Sequence, residues 1–215
     1  MYVPSSNAEH RPQVMLDYME AHPLAALVTS SSEGLIATHL PLLVDRTRGA
    51  LGTLAGHIAR ANPQQRQARD GDEALVIFSG QDAYITPTFY PSKARDGKVV
   101  PTWNYVAVHA YGTLRFVNDP SALRRHLEAL TSRHEASREQ PWSVSDAPSD
   151  YVERQMGAIV GVEIEMTRLE GKWKMSQNRA AEDIDGVIAG LEASDDAATR
   201  EVGGIVRTRR PADPR

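Results

Sequence analysis

The apolar residues of this chain follow two spacings, one typical of strands and one typical of helices. Between Ala158 and Leu169, apolar residues alternate with glutamates and other polar residues, which predicts a half-exposed antiparallel strand. Short apolar runs bounded by turn residues predict further strands over residues 24–29, 35–44, 50–56, 73–78, 83–86, 105–117 and 172–175. Apolar residues three or four positions apart predict helices over residues 12–21, 121–134, 150–156 and 180–191.

The order of these elements predicts the fold class. The first three strands are joined by short turns, which favours an antiparallel meander. Together the pattern gives about seven to nine strands with peripheral helices and no repeat or linker, as in a mainly β barrel with α additions. An α+β sandwich fits the same pattern. We therefore expect a single domain over residues 1–215, ending in a flexible C-terminal tail that begins near Arg207.

Composition and charge exclude several functions. The chain has no cysteine, which excludes a disulfide framework, a thiolate zinc site, an iron–sulfur cluster and a cysteine nucleophile. The sequence has no apolar run near the ~20 residues that a membrane span needs and no visible secretory signal, so we expect a cytoplasmic protein with no membrane partner. The net charge of −4 argues against non-specific DNA binding as the main function. No dinucleotide fingerprint, phosphate-binding P-loop or nucleophile elbow is present, and the dispersed histidines predict no metal site.

One strand-to-helix corner carries candidate phosphate ligands. His57 and Arg60 follow a strand predicted to end at Gly56, where the backbone is free to approach a ligand closely. They precede a predicted helix start at Asn62-Pro63, and a cation beside helix N–H groups suits a phosphate. Thr38 and His39, on the preceding strand, would face the same ligand in a meander. The alternative is an ordinary corner with polar side chains directed to solvent.

Three further residues suit a flat, phosphorylated ligand. Lys93 lies in a proline-rich segment, predicted to be a long loop over residues 87–101, and would meet a phosphate. Trp103 would stack on a heterocycle, and Gln177 would bind a ring edge. The alternative is that the aromatic residues pack the loop and that Ser176 or Asn178 only caps the next helix.

Taken together, these segments resemble the FMN-binding negative transcriptional regulators of the PaiB type. The resemblance runs over nearly the whole chain. The segments that carry it are Met1 to Pro4, Gly56 to Gln64, Tyr84 to Pro87, Tyr90 to Lys93, Val100 to Tyr105, Val108 to Gly112 and Lys174 to Arg179. It implies a split β-barrel of the flavin reductase and pyridoxamine-phosphate oxidase kind, with FMN held at the interface of a homodimer.

The resemblance also implies roles for individual residues. Proteins of that wider fold bind the phosphate through a serine and a lysine that precede Asn-Pro. Arg60 stands in the position of the cation, while His57 replaces the serine or its neighbour, and Thr38 and His39 stand where an arginine is usual. The implied FMN site has Arg60 and Lys93 on the phosphate, completed by Thr38, His39 or His57. Trp103 and Gln177 would lie near the isoalloxazine, from either subunit.

The family name implies transcriptional repression and therefore DNA as a partner. The sequence shows no helix-turn-helix with a basic recognition helix, so we expect weak or no direct DNA binding. The alternative function is a flavin-dependent oxidoreductase or flavin carrier of the split-barrel class. No acid–base pair in the sequence identifies a catalytic residue or a substrate.

Overall fold

The structure is a computed structural model that describes residues 1–211. Its strands are β1 (Ala8–Glu9), β2 (Leu24–Ser31), β3 (Gly34–Pro41), β4 (Leu43–Asp45), β5 (Thr53–Ala59), β6 (Glu73–Ile85), β7 (Thr102–Val117) and β8 (Ile159–Lys174). Its α-helices are α1 (Pro12–Ala21), α2 (Gln64–Gln67), α3 (Ser92–Asp96), α4 (Pro120–Glu135), α5 (Ser149–Gly157), α6 (Ala181–Glu192) and α7 (Ala197–Arg209). Short 3-10 helices lie at Ser5–Asn7, Pro87–Phe89 and Val144–Asp146. The predicted class, mainly β with α additions, is confirmed.

The strands form one sheet in the order β3-β2-β6-β7-β8-β5-β4, with β1 paired to β8. β2 pairs antiparallel with β3 and β6, and β5 pairs antiparallel with β4 and β8. The strand predicted over residues 35–44 is in fact two strands, because Leu42 leaves the ladder and donates its N–H to Pro23 O. The predicted meander is therefore wrong: it is two hairpins, β2–β3 and β4–β5.

Strand β5, near one edge of the sheet, approaches the end of β3, at the other edge, at Gly56. A Cβ at Gly56 would lie 2.7 Å from Leu42 Cδ2 and 3.0 Å from Leu40 Cδ1. The absence of a side chain thus lets β5 pack against the chain around the end of β3, which curls the sheet toward a barrel. Gly56 lies within β5 and does not end it, so the sequence interpretation of Gly56 as a strand end that approaches a ligand is wrong.

The chain forms two compact units. Unit 1 comprises Met1–Met15, Ser79–Val108 and the residues from Glu170 onward, and its core includes Ile85, Met175, Ile184, Val187, Leu191, Val202 and Val206. Unit 2 comprises Leu16–Phe78 and His109–Leu169, and its core includes Leu27, Leu54, Val76, Phe78, Leu114, Val160 and Ile164. That residues 1–215 form a single domain remains a prediction. None of the helices within residues 1–211 combines the length and apolar character that a membrane span requires.

The prediction that a flexible tail begins near Arg207 is wrong, because Arg207 lies in helix α7. α7 continues to Arg209, capped at its start by Asp196, whose carboxylate accepts from Thr199 N at 2.9 Å. Arg209 reaches the carboxylate of Glu9 on β1 at 2.5 Å, and Arg11 binds the same carboxylate at 2.7 Å. Glu9 is only 5% exposed, and its bonds to Arg11 and Arg209 hold its pKa at about 2. The tail residues 212–215 lie outside the described part of the chain.

Candidate functional site

The predicted corner is a tight turn between β5 and α2. Asn62 N donates to Ala59 O at 2.9 Å, and Asn62 Oδ1 accepts from Gln64 N at 2.9 Å. Asn62 Nδ2 donates to Thr38 Oγ1 at 2.8 Å. The structure therefore brings Thr38 to the corner through Asn62 rather than through strand pairing. α2 is a single turn that begins at Gln64, with Pro63 as its N-cap residue.

Arg60 is the cation of this corner. Its Nε donates to Gly157 O at 3.1 Å and its Nη1 donates to Asn118 Oδ1 at 2.9 Å. Both partners are neutral, and no carboxylate in the described part of the chain pairs with this exposed guanidinium. Arg60 also lines an open cavity of about 240 Å³ with Asn118, Pro120, Leu123, Glu153, Met156 and Gly157. Its charge is held in place without being neutralised, which is what an anion-binding arginine requires.

His57 is covered by helix α4. Its Nδ1 lies 3.1 Å from His126 Nε2, and the ring centroids are 5.3 Å apart at 70°. Burial lowers the pKa of both imidazoles, and the neighbouring His57 contributes to the pKa of about 4 at His126. Both rings are therefore neutral near pH 7. His57 is able to donate or accept a hydrogen bond there but brings no positive charge.

His39 is exposed and lies on the other face of β3 from Thr38. Successive side chains of a strand point to opposite faces, and Thr38 is the one that contacts Asn62. Thr38 on β3 therefore contacts the corner that follows β5, while the His39 side chain points away from the Thr38–Asn62 contact.

The other three candidates lie in unit 1. Lys93 is exposed on α3, next to Ser92, whose N and Oγ donate to the buried carboxylate of Asp183 at 3.1 and 2.8 Å. Part of the predicted long loop is therefore ordered as α3 and a 3-10 helix. Trp103 is 53% exposed, and its ring packs edge-on against Tyr84 with the centroids 5.8 Å apart.

Gln177 uses both ends of its amide within its own turn. Its Oε1 accepts from Met175 N at 2.7 Å and its Nε2 donates to Trp173 O at 2.5 Å. These bonds hold the turn after β8, and no side chain of the described residues caps α6, so the alternative of a helix cap in this turn is not seen. A role for Gln177 at a flavin ring remains a prediction.

Sequence reasoning missed two residues of unit 2 that contact the candidates. Asn118, which precedes α4, orients Arg60. His126 was not singled out because a lone histidine in a leucine-spaced helix gives no local signal of a distant partner. Its spacing from Leu123 and Leu127 places it near the buried face and is the signal that was available.

Comparison with known proteins identifies the family. Residues 1–168 match the family model described as "Putative FMN-binding domain". The chain belongs to the FMN-binding domain family. The matched residues include Thr38, His39, His57, Arg60, Lys93 and Trp103 but not Gln177.

Relatives of this FMN-binding domain protein support the same placement. An uncharacterised protein of Emericella nidulans is 37% identical, over 97% of both chains. Protease synthase and sporulation protein PAI 2 of Bacillus subtilis is 28% identical, over 97% of this chain and 98% of the relative. The predicted resemblance to the PaiB type is confirmed.

A solved structure shares the fold. The FAD and heme binding protein from Mycobacterium smegmatis superposes with a TM-score of 0.57 at 16% identity, over 83% of this chain and 79% of that one. Together with the sheet, this likeness confirms the predicted split-barrel class.

Proposed function

We propose that this protein binds FMN and that the Arg60 corner receives the phosphate. The observation that carries the proposal is a guanidinium oriented by two neutral acceptors, Gly157 O and Asn118 Oδ1, and unpaired with any carboxylate of the described residues. The Thr38 hydroxyl lies in the same corner, held by Asn62. A cation with adjacent hydroxyl and amide groups is a donor set that fits a phosphate.

The remaining candidates complete the proposed site. Lys93 would add a second cation and His57 or His39 a hydrogen-bonding group, and Trp103 and Gln177, from either subunit, would lie near the isoalloxazine. Bound FMN would supply one- or two-electron redox chemistry, which the protein would position and tune. In this proposal, Arg60 and Lys93 would bind the phosphate, and Trp103 would orient the ring.

A homodimer would complete the proposed site. Ligand pockets usually enclose about 300–1,000 Å³. The cavity beside Arg60 is smaller, at about 240 Å³. We propose that a second copy of the chain supplies the rest of the FMN site.

A titration followed by flavin fluorescence tests this proposal. Wild-type protein should quench FMN, and Arg60→Ala should weaken binding by about 10- to 150-fold, because a charge-assisted contact contributes roughly 1.5–3 kcal/mol. Riboflavin lacks the phosphate and should bind the two proteins equally. Arg138→Ala removes an exposed arginine that pairs with Glu135 and should leave both affinities unchanged. Folded wild-type protein that fails to quench FMN at about tens of micromolar would rule the proposal out.

We propose negative transcriptional regulation in the cytoplasm as the physiological role, exerted through a partner protein. A second function, a flavin-dependent oxidoreductase or flavin carrier, needs no contact with DNA. The basic residues near the C-terminus pair with acids: Arg207 with Glu192, Arg209 with Glu9 and Arg210 with Asp185. They therefore offer little free charge to DNA phosphates. Steady turnover of FMN with a nicotinamide donor would select the oxidoreductase, and loss of repression on deleting the gene would select the regulator.

A further inference from the structure

Two lysines of unit 1 lie beside one aromatic ring. Lys172 and Lys174 are two residues apart on β8, so their side chains lie on the same face of the strand. Lys172 Nζ lies 5.1 Å from the centroid of the Tyr105 ring, and Lys174 Nζ lies 6.0 Å from the same centroid. Arg179 follows in the next turn, with its guanidinium 4.7 Å from the centroid of the Tyr90 ring.

These three cations have no acidic partner among residues 1–211. Lys172 Nζ donates to Tyr2 O at 3.2 Å, and Lys174 Nζ donates to Trp103 O at 2.5 Å and to Thr102 Oγ1. These acceptors are neutral. Elsewhere in the described chain, many arginines pair with carboxylates: Arg11, Arg46, Arg48, Arg95, Arg115, Arg138, Arg154, Arg207, Arg209 and Arg210.

Leaving this cluster unpaired costs free energy. Lys172 is only 8% exposed, and lysines are rarely buried without a paired charge. Burial lowers the pKa of Lys174, and the charges of Lys172 and Arg179 lower it further. These cations repel one another, and their site is partly buried. A bound anion would stabilise their charged forms.

The turn that carries Arg179 is built around buried polar groups. Ser176 has a left-handed backbone with φ of 63°, and its hydroxyl bonds the fully buried amide of Asn104. This contact fixes the path of the chain between Lys174 and Arg179. The cluster therefore rests on a defined turn rather than on a free loop.

We propose that Lys172, Lys174 and Arg179 bind the oxyanion group of a small molecule, a phosphate or a carboxylate, against the Tyr105 ring. The site is separate from the Arg60 corner in its residues and lies outside the region matched by the family model, except for Tyr105. It stands whether or not the protein binds FMN. Two sources of the oxyanion fit this chemistry: the phosphate of a flavin, which would then bind here instead of at the Arg60 corner, or a separate anionic metabolite.

Calorimetric titration with inorganic phosphate tests the site on the full chain. Wild-type protein should bind phosphate saturably, and its melting temperature should rise more in phosphate than in sodium chloride of equal ionic strength. Lys174→Met keeps most of the apolar stem and removes the charge, so phosphate binding should weaken about 10- to 150-fold. The matched control Lys98→Gln, an exposed lysine of unit 1, should bind phosphate like the wild type.

A second measurement separates a ligand site from a structural role. In phosphate-free buffer, Lys172→Met should melt at or above the wild-type temperature, because it removes a repelled, unpaired charge. The same variant should lose the phosphate-dependent rise. Absence of any phosphate effect beyond that of chloride would overturn the proposal, and so would an equal loss in the Lys98→Gln control.

Competition between FMN and inorganic phosphate identifies the molecule that carries the oxyanion. If the site holds the flavin phosphate, FMN should displace phosphate, and Lys174→Met should weaken binding of FMN but not of riboflavin. If phosphate and FMN bind independently, the oxyanion belongs to a separate molecule. Phosphate binding with no FMN binding at all would support this site while contradicting the proposed function.

Discussion

At the residue scale, the His57–His126 pair shows how packing sets chemistry. Two histidines would be cationic in acid if they were exposed, but here they share a hydrogen bond between β5 and α4. His126 Nδ1 is buried without a hydrogen-bond partner among the described residues. Adding a proton would place a charge where no water solvates it. The pair is therefore a neutral structural contact beside the proposed phosphate corner.

This pair predicts a loss of stability in acid. The pKa of His126 is lowered from 6.5 to about 4, so between these values the unfolded chain binds a proton that the folded chain refuses. Stability should be unaffected by this group above pH 6.5 and should fall by up to about 3 kcal/mol as the pH drops toward 4. Urea unfolding at a series of pH values measures this. His126→Phe should flatten the profile, whereas the exposed His10→Gln should leave its slope unchanged.

Glu9 predicts a second, more acidic transition. Its pKa is lowered from 4.5 to about 2, so its contribution is complete above pH 4.5 and is lost as the pH falls toward 2. Glu9→Gln should therefore lower stability at pH 7 and reduce the further loss below pH 4.5. An unchanged melting temperature at pH 7 would contradict the Arg11–Glu9–Arg209 arrangement.

At the element scale, two glycines of helix α6 allow the segment that carries Lys93 to pack closely against the helix. Gly186 and Gly190 are four residues apart and share a helix face. A Cβ at Gly186 would overlap Phe89 O, and a Cβ at Gly190 would overlap the Phe89 ring. With the Asp183 bonds to Ser92, this contact fixes residues 87–96 on α6.

We expect Gly190→Ala to destabilise the protein although alanine favours helices. Overpacking against Phe89 should cost about 1–3 kcal/mol, more than the ~1 kcal/mol gained in helix propensity. Gly204→Ala in α7 is the matched control, because a Cβ there meets nothing within 4 Å. That variant should be as stable as the wild type or more stable. Equal melting temperatures for the two variants would show that the Phe89 contact is unimportant.

Local periodicity predicted most elements, and long-range packing decided the rest. The alternation before Leu169 was sufficient to predict β8, and the leucine spacing was sufficient to predict α4, because the apolar residues of each element point to one side of it. α7 was missed because Gly203 and Gly204 weaken its helical signal. The contact of Arg60 with Asn118 joins residues 58 positions apart, which no local pattern reveals.

At the scale of the whole molecule, charge bears on the regulatory role. The chain carries a net charge of −4, and a homodimer would carry twice that. Of the basic residues on and after α4, Arg138 pairs with Glu135, and Arg154 pairs with Asp150. A net negative charge and paired arginines both weaken attraction to DNA phosphates.

We therefore expect the isolated protein to bind DNA weakly or not at all at about 150 mM salt. A gel shift with the promoter of a regulated gene and excess competitor DNA measures this. A specific complex that persists at that salt concentration would contradict the expectation and favour direct repression.

The dimer is a separate prediction. Sedimentation at micromolar protein should give twice the mass of the chain, with or without FMN, because the second copy would complete the flavin cavity. A monomer with full FMN affinity would show that one chain holds the whole site.

The bond between Arg209 and Glu9 joins segments that are 200 residues apart in the sequence. Such a tie makes their local opening cooperative, since α7 cannot leave without removing one of the two arginines that bind the buried Glu9 carboxylate. In deuterium exchange, amides of β1 and α7 should therefore gain label together and at one rate. A single substitution at Glu9 should accelerate exchange in a helix at the opposite end of the chain.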